Sequence, residues 1–131
     1  MQYTRQHALS GINAKLPKIE CWPNQFKSRY EITINIPEFT SVCPRTSLPD
    51  FGILTIRYSP DKLCVELKSL KMYILAYRNL GIFYENAVNK VLKDFVKACK
   101  PRWAIVEGHF NTRGGISTVV RASYTRKKSR H

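Results

Sequence analysis

Between Tyr30 and Ile36 the chain alternates without a break: Tyr30, Ile32, Ile34 and Ile36 are apolar, while Glu31, Thr33 and Asn35 are polar. A period of two puts every second side chain on one face, so this stretch is a half-buried strand and not a helix. Pro37 is expected to end it. The run FTSVCPRTSLPD follows, with Pro44 and Pro49 among small polar residues, and reads as a loop. A second β run extends from Phe51 to Ser59. The turn Ser59-Pro60-Asp61-Lys62 then leads into Leu63–Lys68, expected to pair back as a third strand.

The period changes after that. Ser69 is a plausible N-cap for a short helix over SLKMYILAYRN, which Gly81 breaks. A longer helix is expected from about Phe83 to Lys100. Val88, Val91, Leu92, Phe95 and Cys99 fall at helical spacing, with Lys90, Lys93, Lys97 and Lys100 on the opposite face. Pro101 stops it. Two strands, Trp103–Phe110 and Ile116–Tyr124, finish the pattern around the turn NTRGG. The sum is an α+β domain, an antiparallel sheet with two helices on one face. Residues 1–20 read as an arm, 21–124 as one domain, and 125–131 as a basic tail. A sheet covered on one face keeps a bare face and two edges, which predicts a ring or barrel of several copies.

Charge narrows the partners. Lys and Arg number 22 against 9 Asp and Glu, a net +13, and no acidic residue follows Glu107. Such a surface suits nucleic acid, anionic lipid, a phosphate-rich cofactor, or simply solubility. The start, MQYTRQHALSGINAK, lacks the apolar core of a signal peptide, and no run approaches the roughly 18–20 apolar residues of a membrane span. A cytoplasmic protein with no membrane partner is expected. Cys21, Cys43, Cys64 and Cys99 form no CxxC, and His7, His109 and His131 are scattered, so reduced thiols are expected and no metal site.

Several residues carry chemistry in one reading and structure in another. Cys43 is either a small core residue or a nucleophile helped by Arg45, with Asp50 held at a fixed separation by the flanking prolines. Glu66, Lys68 and Lys71 form either a solvated face or a phosphate-binding rim. Arg113-Gly114-Gly115 is either a hairpin turn or a place where a phosphate approaches the backbone. Glu85 either favours the positive end of a helix or accepts two parallel N–H bonds from a guanine-type ring.

The blocks CWPN (residues 21–24), FTSVCPRTSLPDFG, VELKSLKMYILAYRN, GIFYENAVNKVLKDF and FNTRGGIS, in that order, resemble the single-module form of the QueF family. Its members are NADPH-dependent 7-cyano-7-deazaguanine reductases of queuosine biosynthesis, a tRNA-modification pathway. The similarity runs from about residue 20 to 120, and CP-(x)5-D with ELKSLKxY is its specific part. The resemblance implies the tunnelling fold, assembled as multi-subunit β-barrels in a decamer of two pentamers with sites between subunits. It implies that Cys43 forms a thioimide with the nitrile of a small deazaguanine substrate and that Asp50 supplies protons. Val65, Glu66, Leu67, Tyr84 and Glu85 would bind the base. Leu67, Lys68, Lys71, Arg113 and Gly114 would bind NADPH, used twice per turnover.

One position departs from the family pattern: Tyr84 stands where well-known members have His, and tyrosine does not change charge near pH 7. Two other readings stay open. The QueF-like archaeosine synthase, an amidinotransferase acting on modified tRNA, looks similar around the Cys and Asp but needs no NADPH. A non-catalytic RNA-binding module would make the basic tail the functional part.

Overall fold

The structure is a computed structural model, and it describes residues 3–127. Its main sheet has four antiparallel strands: β2 (Ile32–Val42), β3 (Pro49–Ser59), β5 (Trp103–Arg113) and β6 (Ile116–Thr125), in the order β2-β3-β5-β6. A separate ribbon pairs β1 (Cys21–Pro23) with β4 (Leu63–Val65). Two helices, α2 (Leu67–Leu75) and α3 (Tyr84–Cys99), cover one face of the sheet, and a short α1 (Arg5–Leu9) precedes them. No helix among the described residues is long and apolar enough to cross a membrane.

Alternation sets the layers. Leu54, Ile56 and Tyr58 of β3 and Ala104, Val106 and Phe110 of β5 point into the core, while Phe51, Ile53 and Val119 stay exposed on the other face. Against that core face α3 lays Val88, Val91, Leu92, Phe95 and Cys99, the positions its periodicity marked. Each such fully buried apolar side chain contributes about 1.5–3 kcal/mol. Tyr58 and Phe95 meet edge to face at 4.8 Å. Lys100 takes a left-handed C-cap conformation before Pro101, and the helix ends there.

The structure differs from the sequence expectations in five places. Pro37 does not end β2. The register shifts between Ile36 and Phe39, so the residue without an N–H sits at a bulge on an edge strand and pairing resumes beyond it. The strand then runs to Val42, and β3 starts at Pro49, leaving only a tight turn of the expected loop. The stretch after Leu63 is a strand only to Val65, and it pairs with β1, because β2 and β5 already occupy both edges of β3. Glu66, not Ser69, caps α2: its two carboxylate oxygens accept from the N–H of Lys68 at 2.7 Å and of Ser69 at 2.9 Å.

Lys90 is the fifth difference. Its side chain is only 9% exposed and its ammonium donates to the Ile12 carbonyl at 2.9 Å, 3.4 Å from Asp94. It therefore fastens the N-terminal segment to α3 instead of joining the solvated face. Ser10 Oγ donating to the Gly81 carbonyl and Asn86 donating to the Ala8 carbonyl, both at 2.7 Å, add to that attachment. At the other end Arg126 donates to Asp61 and to the Lys100 carbonyl. Beyond Lys127 the basic tail lies outside the described residues.

Candidate functional site

The end of β2 and the start of β3 bring Cys43 and Asp50 together. Val42 pairs with Pro49 and Ser41 with Asp50, and the turn between them is closed by Cys43 N–H to the Leu48 carbonyl and Ser47 N–H to the Cys43 carbonyl, both 2.9 Å. Ser47 takes a positive φ of 61°, a conformation that a non-glycine residue holds only when its surroundings fix it. The prolines of the sequence thus flank a turn whose geometry comes from its hydrogen bonds.

Burial pushes the Cys43 thiol up, but hydrogen bonds from the Thr46 side chain and from the backbone N–H of Thr46 and Arg45 outweigh it. The net result lies below the ordinary thiol value, which favours the nucleophilic thiolate. The nearby Asp50 charge opposes this. Arg45 acts on the thiol through its backbone, and its guanidinium lies 5.8 Å from the Tyr3 ring centre. Asp50 moves the other way. Its side chain is 7% exposed, and burial raises it above the usual carboxylate range despite Arg113, whose Nη1 donates to it at 2.5 Å.

The same end of the sheet holds Tyr84 and Glu85. Ile82 N–H donates to the Val42 carbonyl, which fixes the entry to α3 beside Cys43. Tyr84 stacks on Phe110 with ring centres 4.3 Å apart, and its hydroxyl lies 3.2 Å from that of Thr118. Room for the Phe110 ring is made by two glycines. A Cβ at Gly108 would lie 2.6 Å from that ring, and one at Gly52 would lie 2.8 Å from it. Glu85 stands exposed in the first turn of α3. Gly114 and Gly115 have positive φ, and nothing lies within 4 Å of where their Cβ would be, so the backbone beside Arg113 is open.

The remaining predicted residues are elsewhere. Val65 N–H donates to the hydroxyl of Tyr58, at the far end of β3, at 3.0 Å. Asp50 and Tyr58 are separated by most of that strand, about 25 Å at 3.2–3.4 Å per residue. The helical path from Leu67 through α2 and a 3₁₀ turn to Asn79 covers a similar span before it returns to Val42. Val65, Glu66, Leu67, Lys68 and Lys71 therefore form a second cluster. Val65, Glu66 and Leu67 border a cavity of about 420 Å³ with Trp22 and Ile34. Lys68 and Lys71 are exposed, and neither enters an ion pair among the described residues.

Three residues of the first cluster escaped the sequence reading. Thr46 holds the thiol, Thr118 meets Tyr84, and Ser41 lies directly across from Asp50 on the same face. Ser41 Oγ is fully buried without a hydrogen-bond partner among the described residues. The pairing of Ser41 with Asp50 depends on the β2 bulge, which no local pattern announces.

A thiol held below its ordinary value, a buried carboxyl of raised pKa and an arginine lie at one end of an antiparallel α+β sheet, an arrangement chemically able to add a thiol to an electrophile and supply it with a proton. Comparison with known proteins gives the family. The QueF-like protein family model matches residues 49–129. The NADPH-dependent 7-cyano-7-deazaguanine reductase of Elusimicrobium minutum is 61% identical over 95% of this chain and 95% of its own. Those of Chloroherpeton thalassium and Chlorobaculum tepidum, also named NADPH-dependent 7-cyano-7-deazaguanine reductase, are 57% and 55% identical over 84% of this chain and 96% and 95% of theirs. Among solved structures, the archaeosine synthase QueF-Like in the apo form shares the fold, with a TM-score of 0.70 at 20% identity over 78% of this chain and all of that one. The chain belongs to the QueF family, with the NADPH-dependent 7-cyano-7-deazaguanine reductases as its near relatives.

Proposed function

We propose that this chain reduces the nitrile of 7-cyano-7-deazaguanine to an aminomethyl group at the expense of two NADPH, a step in queuosine biosynthesis. The observation that carries the reading is the opposed tuning of Cys43 and Asp50, a thiol held low beside a carboxyl held high. Cys43 Sγ adds to the nitrile carbon as one C–N π bond opens, and the nitrogen takes a proton from Asp50. The product is a thioimide, a C=N group that accepts hydride far more readily than the nitrile. Glu85 accepts the N–H pair of the base, and Tyr84 stacks beside it in place of the family's His.

The residues present suit NADPH. Lys68 and Lys71 offer exposed ammonium groups that enter no ion pair among the described residues, and Gly114 leaves the backbone beside Arg113 open to a phosphate. When bound there, the cofactor supplies hydride. Arg113 has a second task in this arrangement. While it binds Asp50 it favours the carboxylate; drawn toward a phosphate, it leaves burial to dominate and Asp50 takes up the proton it must deliver.

The two clusters lie too far apart for one chain to hold the whole site, which supports sites formed between copies in an oligomeric barrel. Loss of reduced-nicotinamide absorbance on mixing protein, NADPH and the cyano base, with two NADPH consumed per base, tests the activity. Absence of base-dependent oxidation would refute it, and a thioimide resolved only by ammonia on tRNA would move the chain to amidinotransfer. Mixing a Cys43→Ala chain with an inactive Leu67→Asp chain and reassembling them should restore about a quarter of the sites. No recovery would argue against shared sites.

A further inference from the structure

The thiols that the proposed reaction leaves unused are not scattered. Cys21 lies in β1 and Cys99 is the last residue of α3, 78 positions later, yet their sulfurs are 2.9 Å apart. A disulfide needs about 2.05 Å between sulfurs, so closing the bond asks for a movement of under about one ångström. The two differ in access. Cys99 is fully buried, whereas Cys21 is half-buried in the wall of a cleft of about 600 Å³. Lys18, Lys97 and Lys100 line that cleft with Glu20 and the Lys90–Asp94 pair. Asp94 is already engaged, accepting from the Tyr73 hydroxyl at 2.6 Å as well as facing Lys90, so the open part of the cleft is positive.

We propose that Cys21 and Cys99 are a dithiol that closes reversibly to a disulfide by exchange with an anionic low-molecular-weight disulfide admitted through the lysine-lined cleft. Access sets the order. The Cys21 thiolate attacks one sulfur of the small disulfide, forming a mixed disulfide and releasing one small thiolate, which takes up a proton. Cys99 gives up its proton to solvent and attacks the Cys21 sulfur, and the second small thiol leaves. Two protein thiols are oxidised and one external disulfide is reduced to two thiols. Burial keeps both protein thiols above the ordinary range, which slows exchange relative to an exposed thiol.

The bond has a structural consequence. Cys21 pairs with Val65, so the oxidised form ties the β1–β4 ribbon to the end of α3 and closes a loop of most of the chain. Cross-links over loops of that length stabilise the fold chiefly by constraining the unfolded chain.

The test uses the full chain carrying Cys43→Ala, so that the reactive thiol does not interfere, with oxidised glutathione as probe. The expected product is lighter by two hydrogens, with the Cys21 and Cys99 peptides joined, a raised Tm, and full reversal by dithiothreitol. Cys99→Ser, or Cys99→Ala, should stop at a single glutathione adduct on Cys21, and Cys21→Ser should give neither product. At low salt the cationic disulfide cystamine should react more slowly, and Lys18→Gln with Lys97→Gln should slow oxidised glutathione roughly three- to tenfold. A bond to Cys64 instead, or no bond at all, would overturn the dithiol. Equal rates for the two probes would overturn the choice of an anionic partner.

Discussion

Arg113 reaches across from the end of β5 to hold the carboxylate of Asp50, and of the two only the arginine is open to solvent. Arg113 favours the charged form of Asp50 against the burial that opposes it, and another anion could draw that arginine away.

That relationship has a measurable cost. Burial leaves the folded-state pKa of Asp50 above its unfolded value, so its stabilising contribution is complete below about 3.8 and is lost as pH rises through the folded value. Asp50→Asn should therefore stabilise the fold at pH 7 by about 1 kcal/mol while severely slowing turnover. The gain should shrink toward pH 4. Arg113→Gln should do the reverse at pH 7, a loss of about 1 kcal/mol after allowing for the arginine's exposure. Urea titrations at the two pH values check both.

Thr46 is expected to control the reactivity of Cys43. In Thr46→Val the side-chain hydrogen bond is gone and the thiol rises, so alkylation by iodoacetamide at pH 7 should slow several-fold and its pH midpoint should move up. In the unmodified chain Cys43 should label before Cys21 and Cys99, whose thiols are raised. Peptide mapping after brief labelling reads the order.

Removing the α2 cap should cost stability without touching Cys43. Glu66→Ala leaves the N–H groups of Lys68 and Ser69 without their acceptor, a loss of about 0.5–2 kcal/mol. Glu66→Asp should recover much of it. Equal urea midpoints for all three chains would show the cap to be idle.

Glu85 should behave oppositely. It is exposed and caps nothing, so Glu85→Ala should cost only a few tenths of a kcal/mol through the helix dipole. Affinity for the cyano base should fall tenfold or more, because the ring's donor pair loses its acceptor. Calorimetric titration with the Cys43→Ala chain as background separates binding from chemistry.

The elements with strong periods were legible in the sequence: the Phe51–Ser59 strand and the helix carrying Val88 to Cys99 form where the spacing puts them, and the alternating stretch from Tyr30 is strand from Ile32 onward. What failed was local punctuation. Two prolines suggested a loop, but pairing beyond the bulge continues the strand and brings Ser41 opposite Asp50. Ser69 looked like a cap because serine often is one, yet the carboxylate three residues earlier reaches two N–H groups where a hydroxyl reaches one. Arg113 binds Asp50 across from the Cys43 turn, and Tyr84 and Glu85 open α3 at that same end of the sheet. The distance from these to Val65–Lys71 could not be read from spacing, since Asp50 and Val65 are near in sequence while β3 carries them to opposite ends of the sheet.

The length of β3 has one more consequence on the proposed reading. A subunit in isolation would own a nucleophile with nowhere to seat the rest of its reactants, so output would depend on how crowded the protein is with its own kind. Specific activity should then collapse on dilution and return on concentration, making abundance itself the threshold that decides whether the catalyst exists.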